Sequence, residues 1–394
     1  MTYPVVVLHP GRERTLERRH QWIFSKAIKS IDPGVSDGDV VFVADMRRNV
    51  LATGHYHNSS LALRILDFTG ADIDEAFWHT KLQSARDLRL ALGLGTSSDT
   101  TAYRLVHGEG DELPGLIVDI YGVVAVVQPH SVGMSRHVQT VARTLMAMLP
   151  GLEGVYHKRI EGLSHGGATD QRTAWIAGTS GHRIRISEYG IPFTVDLATG
   201  QKTGFFLDQR INRQIVRECA AEKEVLNLFS YTGGFSLHAL AGGARHVTSV
   251  DSSASAIALL EEHVAAFSAT AKHTSVCADV QTFLRDTANS YDLIICDPPA
   301  FAKNIQKRHN AVQAYKRLNT EAIRHVNPGG MLFTFSCSQV VDRQLFYDTV
   351  VAAAIEAGRP ARVLYELRQV PDHPVSIFHP EGSYLKGLAL YIEA

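Results

Sequence analysis

Two short segments carry the residue types that covalent chemistry on a flat, electron-poor ring would need. Cys337 stands in Phe333-Thr334-Phe335-Ser336-Cys337-Ser338-Gln339, just past the last apolar residue of a strand-like run and between two small hydroxyl residues, where a substrate can reach a thiol. Thiolate addition at carbon 6 of a pyrimidine puts electron density on carbon 5, which is otherwise too poor a nucleophile to attack an electrophilic methyl group. The second segment is Asp297-Pro298-Pro299-Ala300-Phe301. Its two prolines stop the strand before them and fix the exit of the chain, so the Asp297 carboxylate faces whatever enters beside it. A flat base can stack there, with Asp297 hydrogen-bonding its polar edge. Taken singly, Asp-Pro-Pro is more often a rigid turn and a strand cysteine more often a buried, inert one. Cys219, Cys277 and Cys296 read as ordinary cysteines of that kind.

A third set describes a pocket for an adenosine. Phe229-Ser230-Tyr231-Thr232-Gly233-Gly234 follows an apolar run, and its paired glycines let backbone approach a ligand before the next helix begins. Asp251 ends the following strand, where a carboxylate can accept both hydrogen bonds of a ribose diol. Asp279, in Cys277-Ala278-Asp279-Val280, can accept from an adenine amino group. The turn has neither the G-x-G-x-x-G spacing of dinucleotide sites nor the GK[ST] ending of a phosphate loop. S-adenosylmethionine, which has adenine, ribose and an amino-acid tail but no phosphate, fits better than NAD.

The elements that position these residues alternate. From about residue 190 onward, strands at 225–229, 246–251, 292–296 and 331–336 are separated by helices at 236–241, 254–267 and 312–326, the last closed by Asn327-Pro328-Gly329-Gly330. Such alternation predicts a doubly wound, mainly parallel α/β sheet, and each motif lies at the carboxyl end of one of its strands, where ligands bind in such sheets. Residues 1–75 instead alternate short apolar runs with turn clusters such as Asp32-Pro33-Gly34, the pattern of a small β-rich module. Residues 76–186 read as an α+β module, with a helix from about Asp74 to Gly93, strands at 102–106 and 116–127, a helix over 135–148 and strand-like sequence up to Ile186.

Composition bounds the rest. At roughly 100–200 residues per domain, 394 residues predict two or three domains. A hydrophobic fraction of 45% and a charged fraction of 20% exclude wholesale disorder. No apolar run approaches the roughly 18 residues of a membrane span, and the start lacks the apolar core of a secretory signal, so a cytoplasmic protein with no membrane partner is expected. The four cysteines include no CxxC pair and have no histidine at metal-ligand spacing, so no metal is expected. Net charge is −1, which singles out no partner; the clearest basic patch is local, with six Lys/Arg against two Glu between Arg12 and Lys29. Arg12, Arg14, Arg18 and Arg19 are its candidates for phosphate contact; the alternative is a solvated helix with Leu16, Trp22 and Phe24 facing the core.

Over nearly its whole length the chain resembles the class I S-adenosylmethionine-dependent RNA methyltransferases of the 23S rRNA cytosine-C5 type, the large-subunit methyltransferase I group. The resemblance rests on Gly200-Gln201-Lys202-Thr203-Gly204-Phe205-Phe206-Leu207-Asp208-Gln209-Arg210, Leu228-Phe229-Ser230-Tyr231-Thr232-Gly233-Gly234, Asp297-Pro298-Pro299-Ala300-Phe301 and Phe335-Ser336-Cys337-Ser338, with Gly11-Arg12-Glu13-Arg14 and Gln21-Trp22-Ile23-Phe24 near the start. It implies an N-terminal PUA domain that contacts RNA (1–75), a central α+β domain (76–186) and a Rossmann-like catalytic domain (187–394). By the resemblance, Cys337 is the nucleophile, Asp297 orients the target base, the 229–234 turn with Asp251 and Asp279 holds S-adenosylmethionine, and Asp208 and Gln209 border its amino-acid end. Two-cysteine RNA cytosine methyltransferases carry a second cysteine where this chain has Ala300. Uracil-C5 methyltransferases also combine Asp-Pro-Pro with one later cysteine, but usually follow it with Asn-Pro where this chain has Ser338-Gln339. His373-Pro374 and Tyr384-Leu385-Lys386-Gly387 match the family in outline and receive no chemistry.

The leading expectation is therefore methylation of carbon 5 of a cytosine in 23S rRNA, with RNA as partner and a homodimer left open. Its rivals are uracil-C5 methylation, direct methylation of an exocyclic amine that needs no thiol, a non-catalytic RNA-binding assembly factor and, last, an NAD-dependent dehydrogenase.

Overall fold

The computed structural model describes residues 3–160, 173–179, 181–302 and 304–393. The chain divides into two compact units. Unit 1 comprises residues 1–188, 195–207 and 371–383; unit 2 comprises 189–194, 208–370 and 384–394.

Unit 1 contains two sheets, each with its own core. The first is built from β1 (Val5–Leu8), β2 (Trp22–Phe24), β3 (Ile28–Ile31), β4 (Val40–Ala44), β5 (Val50–Tyr56) and β6 (Leu61–Asp67), in the order β2-β6-β5-β4-β1-β3. Val6, Leu8, Ile23, Val41, Val43, Leu63 and Ile65 close its core, together with Leu16 from the single helical turn α1 (Arg14–Glu17). The basic segment is therefore one helical turn followed by a strand. Arg12, Arg14, Arg18 and Arg19 are exposed around it.

The second sheet follows α2 (Glu75–Ala91) and contains β7 (Ala102–His107), β8 (Leu116–Tyr121), β9 (Val124–Pro129), β10 (Gly154–His157) and β11 (Ala174–Gly178), ordered β11-β10-β9-β8-β7, with α3 (Val132–Met148) between β9 and β10. Asp74 starts α2 by accepting a hydrogen bond from the Phe77 N–H, and Ser131 does the same for α3 from Met134. The run 116–127 is not one strand: Gly122, at φ 58°, turns it into the antiparallel β8–β9 hairpin. Leu82, Leu105, Val118, Val127, Val138 and Val141 meet in its core, each complete burial stabilising by about 1.5–3 kcal/mol. The strand-like sequence expected up to Ile186 is seen in part, 161–172 lying outside the described residues. β12 (Arg183–Glu188) and β13 (Ile191–Asp196) lead onward.

Unit 2 holds α4 (Arg210–Cys219), β14 (Glu224–Leu228), α5 (Gly234–Ala241), β15 (His246–Asp251), α6 (Ala254–Ala266), β16 (His273–Cys277), α7 (Val280–Asp286), β17 (Tyr291–Cys296), α8 (Arg308–Arg324), β18 (Val326–Ser336), α9 (Arg343–Ala357), β19 (Ala361–Arg368) and β20 (Lys386–Ile392). The sheet order is β16-β15-β14-β17-β18-β20-β19. The first five strands are parallel; β20 enters antiparallel between β18 and β19. From β14 the sheet grows toward β15 and β16 on one side and toward β17 and β18 on the other. That reversal is the point where doubly wound sheets bind ligands. Register fixes who meets there: Leu228 lies opposite Cys296, Cys296 opposite Thr334 and Ser336 opposite Lys386.

One boundary differs from the sequence expectation. Asn327-Pro328-Gly329-Gly330 does not close α8; it lies inside β18 as an irregularity, pairing being interrupted between Tyr291 and Leu293, and Asn327 Nδ2 donates to Asp292 Oδ1 at 2.7 Å.

Candidate active site

Every candidate residue of unit 2 stands where a strand gives way to a loop or at the start of a helix. After β14, Phe229 and Tyr231 adopt left-handed φ angles of 58° and 47°. For side chains of this size that costs about 1–2 kcal/mol each, so neighbours must hold them there. They do: the Ser230 N–H donates to Val250 O at 3.0 Å and the Tyr231 N–H to Asp251 Oδ2 at 2.8 Å, while His263 Nδ1 meets Thr232 O at 2.8 Å. Gly233, at φ 83°, admits no side chain, because a Cβ would sit 2.8 Å from Leu260 Cγ. Buried Ser230 Oγ has no hydrogen-bond partner among the described residues, an unsatisfied group of the kind a polar ligand completes.

The two acidic residues beyond this turn also have structural work. Asp251 accepts from the Tyr231 and Ser253 N–H groups, one on each oxygen and both at 2.8 Å, and each oxygen keeps a second lone pair. Asp279 Oδ1 caps α7 by accepting from the Thr282 N–H at 2.9 Å.

On the other side of the switch point a hydrogen-bonded network converges. Gln209 Nε2 donates to Asp297 Oδ2 at 3.0 Å, and Asn212 Nδ2 donates to Gln209 Oε1 at 2.6 Å and to Arg368 O at 3.2 Å. The Tyr384 hydroxyl donates to Asp208 Oδ2 at 2.6 Å. Asp208 and Gln209 are both buried, and Asp297 is half-buried. The loops after β17 and β18 are stapled together: Ser338 Oγ donates to Ala302 O at 2.8 Å, and Lys386 Nζ donates to Ser338 O at 2.6 Å and Val341 O at 2.7 Å. Phe301 packs on Tyr315 with ring centroids 4.7 Å apart.

The cysteines separate clearly. Cys337 is half-buried at the carboxyl end of β18, open to the loops just described. Cys296 is fully enclosed, and burial pushes its thiol well up. Cys219, half-buried at the end of α4, is pushed up for the same reason. Cys277 is exposed, contrary to the buried strand cysteine expected, because β16 is the edge strand of the sheet.

Sequence reasoning gave no chemistry to Tyr384 or Lys386 and did not single out Asn212. Tyr384 and Lys386 lie in the Tyr384-Leu385-Lys386-Gly387 motif, but their partners, Asp208 and the 338–341 segment, are remote in sequence. The four arginines belong to unit 1, where Arg19 lies 3.8 Å from Glu112 and over the Phe68 ring at 5.2 Å. Also in unit 1, His20, His379 and Glu381 each place one ligand-type atom within 4.8 Å of the others, and His20 Nε2 lies 3.3 Å from Glu381 Oε1.

Against this geometry, a family model described as S-adenosylmethionine-dependent methyltransferase matches residues 103–374, and a PUA-like domain matches residues 6–68. Proteins named ribosomal RNA large subunit methyltransferase I are similar along nearly their whole length. The one from Pseudoalteromonas atlantica is 38% identical, covering 97% of this chain and 98% of the relative; that from Klebsiella pneumoniae is 37% identical, covering 98% of both. The chain belongs to the ribosomal RNA large subunit methyltransferase I family. Among solved structures, that of SMU.776 complexed with SAH matches with a TM-score of 0.84 and 25% identity, over 99% of this chain and 100% of that one. Trm5b from Pyrococcus abyssi, at TM-score 0.54 and 17% identity over 100% of both chains, shares the fold. The architecture is thus a class I methyltransferase fold with a PUA-like domain at its start, and its cofactor is S-adenosylmethionine. No helix among the described residues is long and apolar enough to cross a membrane.

Proposed function

We propose that this chain methylates carbon 5 of a cytosine in 23S ribosomal RNA through a transient covalent bond to Cys337. The coarser reading, S-adenosylmethionine-dependent methylation of ribosomal RNA, follows from its family. The covalent reading is supported above all by one observation: the segment carrying half-buried Cys337 is stapled to the segment carrying Asp297 through the Ser338–Ala302 hydrogen bond, which holds the stretches bearing thiol and carboxylate side by side.

S-adenosylmethionine, when bound, supplies a methyl group on a positively charged sulfur. The protein does the rest. Cys337, as thiolate, forms a bond from Sγ to carbon 6 of the cytosine, and the displaced ring electrons make carbon 5 nucleophilic. Once carbon 5 carries the methyl, its proton leaves to a base, the Sγ–C6 bond breaks and the thiolate is regenerated, so the net products are 5-methylcytosine, the demethylated cofactor and one proton. Asp297 fixes the polar edge of the base, with Gln209 holding the carboxylate in place. Asp251 is suited to the ribose, Asp279 to the adenine amino group, Asp208 and Gln209 to the amino-acid end, and the 229–234 turn to close backbone approach. We read residues 1–75 as the RNA-contacting domain, 76–186 as the central domain and 187–394 as the catalytic domain, with Arg12, Arg14, Arg18 and Arg19 contacting phosphates.

The test is Cys337→Ala. Turnover on ribosomal RNA falls at least ~1,000-fold while cofactor binding persists, and mass spectrometry of the wild-type product places the methyl on carbon 5 of cytosine. Retained turnover in the variant rejects the covalent route in favour of an exocyclic amine; a methyl on uracil moves the acceptor and keeps the thiol.

A further inference from the structure

The Cys337 chemistry needs a thiolate, and an ordinary thiol is mostly protonated at neutral pH, with a pKa near ~8.5. One cation of unit 2 is built into the wall beside it. Lys386 begins β20 opposite Ser336, the residue before Cys337. Its side chain is buried, and its ammonium is pinned by the carbonyls of Ser338 and Val341, at 2.6 Å and 2.7 Å, both in the segment that follows the cysteine. It forms no ion pair with a carboxylate among the described residues. A buried ammonium is costly to keep, and two carbonyl dipoles satisfy only two of its three N–H groups.

We propose that Lys386 is a positioning residue for Cys337, its ammonium stabilising the thiolate while its hydrogen bonds hold the loop that carries the sulfur. This rests on the reading of Cys337 as nucleophile. The thiol proton leaves to solvent and the lysine keeps its own. Asp342 and Arg343 at the start of α9 also act on Lys386, and Tyr315 from α8 feels both Cys337 and Asp297, the latter just after β17. Tyr315 stays neutral because burial opposes its ionisation, so it adds no competing anion. Burial lowers Lys386 to about 8, and the charge of Cys337 works in the opposite direction, so the lysine remains mostly charged at pH 7.

The experiment is the pH dependence of iodoacetamide alkylation at Cys337 in the full-length protein, read by peptide mass spectrometry, with exposed Cys277 as an internal reference. In the wild type the Cys337 midpoint lies below the ordinary ~8.5 of a thiol. Lys386→Met raises it by about one pH unit, slowing alkylation at pH 7 about tenfold, and Lys386→Arg largely restores it; Cys277 does not change. A wild-type midpoint at or above the ordinary value overturns the proposal without any variant, and so does an unchanged midpoint in a folded Lys386→Met. Because alkylation needs neither RNA nor methyl transfer, this outcome is independent of the Cys337→Ala assay: active Cys337→Ala defeats the covalent reading, an ordinary midpoint defeats the role of the lysine.

Discussion

In unit 1 a group of buried imidazoles is held neutral by its surroundings, beside buried ion pairs such as Arg89–Asp111 and Arg104–Asp119, whereas in unit 2 the polar side chains around Asp297 and Asp208 are hydrogen-bonded to one another near the ends of the strands. His55 is fully enclosed, neither ring nitrogen has a partner among the described residues, and it stacks on His137 with centroids 5.2 Å apart. Burial lowers His55 and His107 well below the ordinary imidazole value and brings His57, His130 and His137 to about 4. In unit 2 His273 is the counterpart, at about 4, while Asn212, Gln209 and Asp297 form one hydrogen-bonded chain and Tyr384 and Asp208 a separate pair. The lesson is that unsatisfied burial makes a region sensitive to pH, and mutual pairing makes a region sensitive to the loss of any one member.

That contrast can be broken at several points. Asp297→Ala leaves Gln209 Nε2 without the Asp297 carboxylate and, on the proposed role, the base without its partner, so kcat/KM should drop about 100-fold or more with little change in melting temperature; loss of less than a few-fold would remove the network from the site. The imidazoles make the next prediction. Their folded values are depressed, so the unfolded chain takes up protons first. The stability they permit is present above about 6.5 and is lost as pH falls toward 4. By calorimetry, the transition assigned to unit 1 should fall by at least ~5 °C more than that of unit 2 between pH 7.5 and pH 5; equal shifts would erase the distinction. The smallest effect is expected from the exposed arginines. Alanine at Arg12, Arg14 or Arg18 should each lower the salt slope of RNA binding by about one, weakening affinity without changing the nucleotide modified. Unaltered slopes would take the RNA contact away from this surface.

Much of unit 2 is legible in the sequence because its signals are local. Apolar runs, the Gly233-Gly234 turn and Pro298-Pro299 each act on their immediate neighbours, and every strand end they mark is found close to its expected place. The β8–β9 hairpin of unit 1 is not legible in this way, since Gly122 is a single turn residue inside a nearly continuous apolar run. Asn327-Pro328-Gly329-Gly330 looks like a helix stop but is absorbed into β18 by pairing with β17, a tertiary choice. The site divides the same way. Cys337 and Asp297 are recognisable from neighbours on either side, but Tyr384 serves Asp208 across 176 residues and Lys386 serves Ser338 across 48, distances that no local pattern encodes.

The place of β20 in its sheet has a consequence for how the protein is made. This strand is hydrogen-bonded on both flanks, yet it is the last of the seven to be synthesised. Until it emerges, β18 and β19 have an empty slot between them and the loop after Cys337 lacks its anchoring lysine. A chain that has not yet made this strand therefore lacks the hydrogen bonds that hold the segment after Cys337, which β20 supplies from inside the sheet.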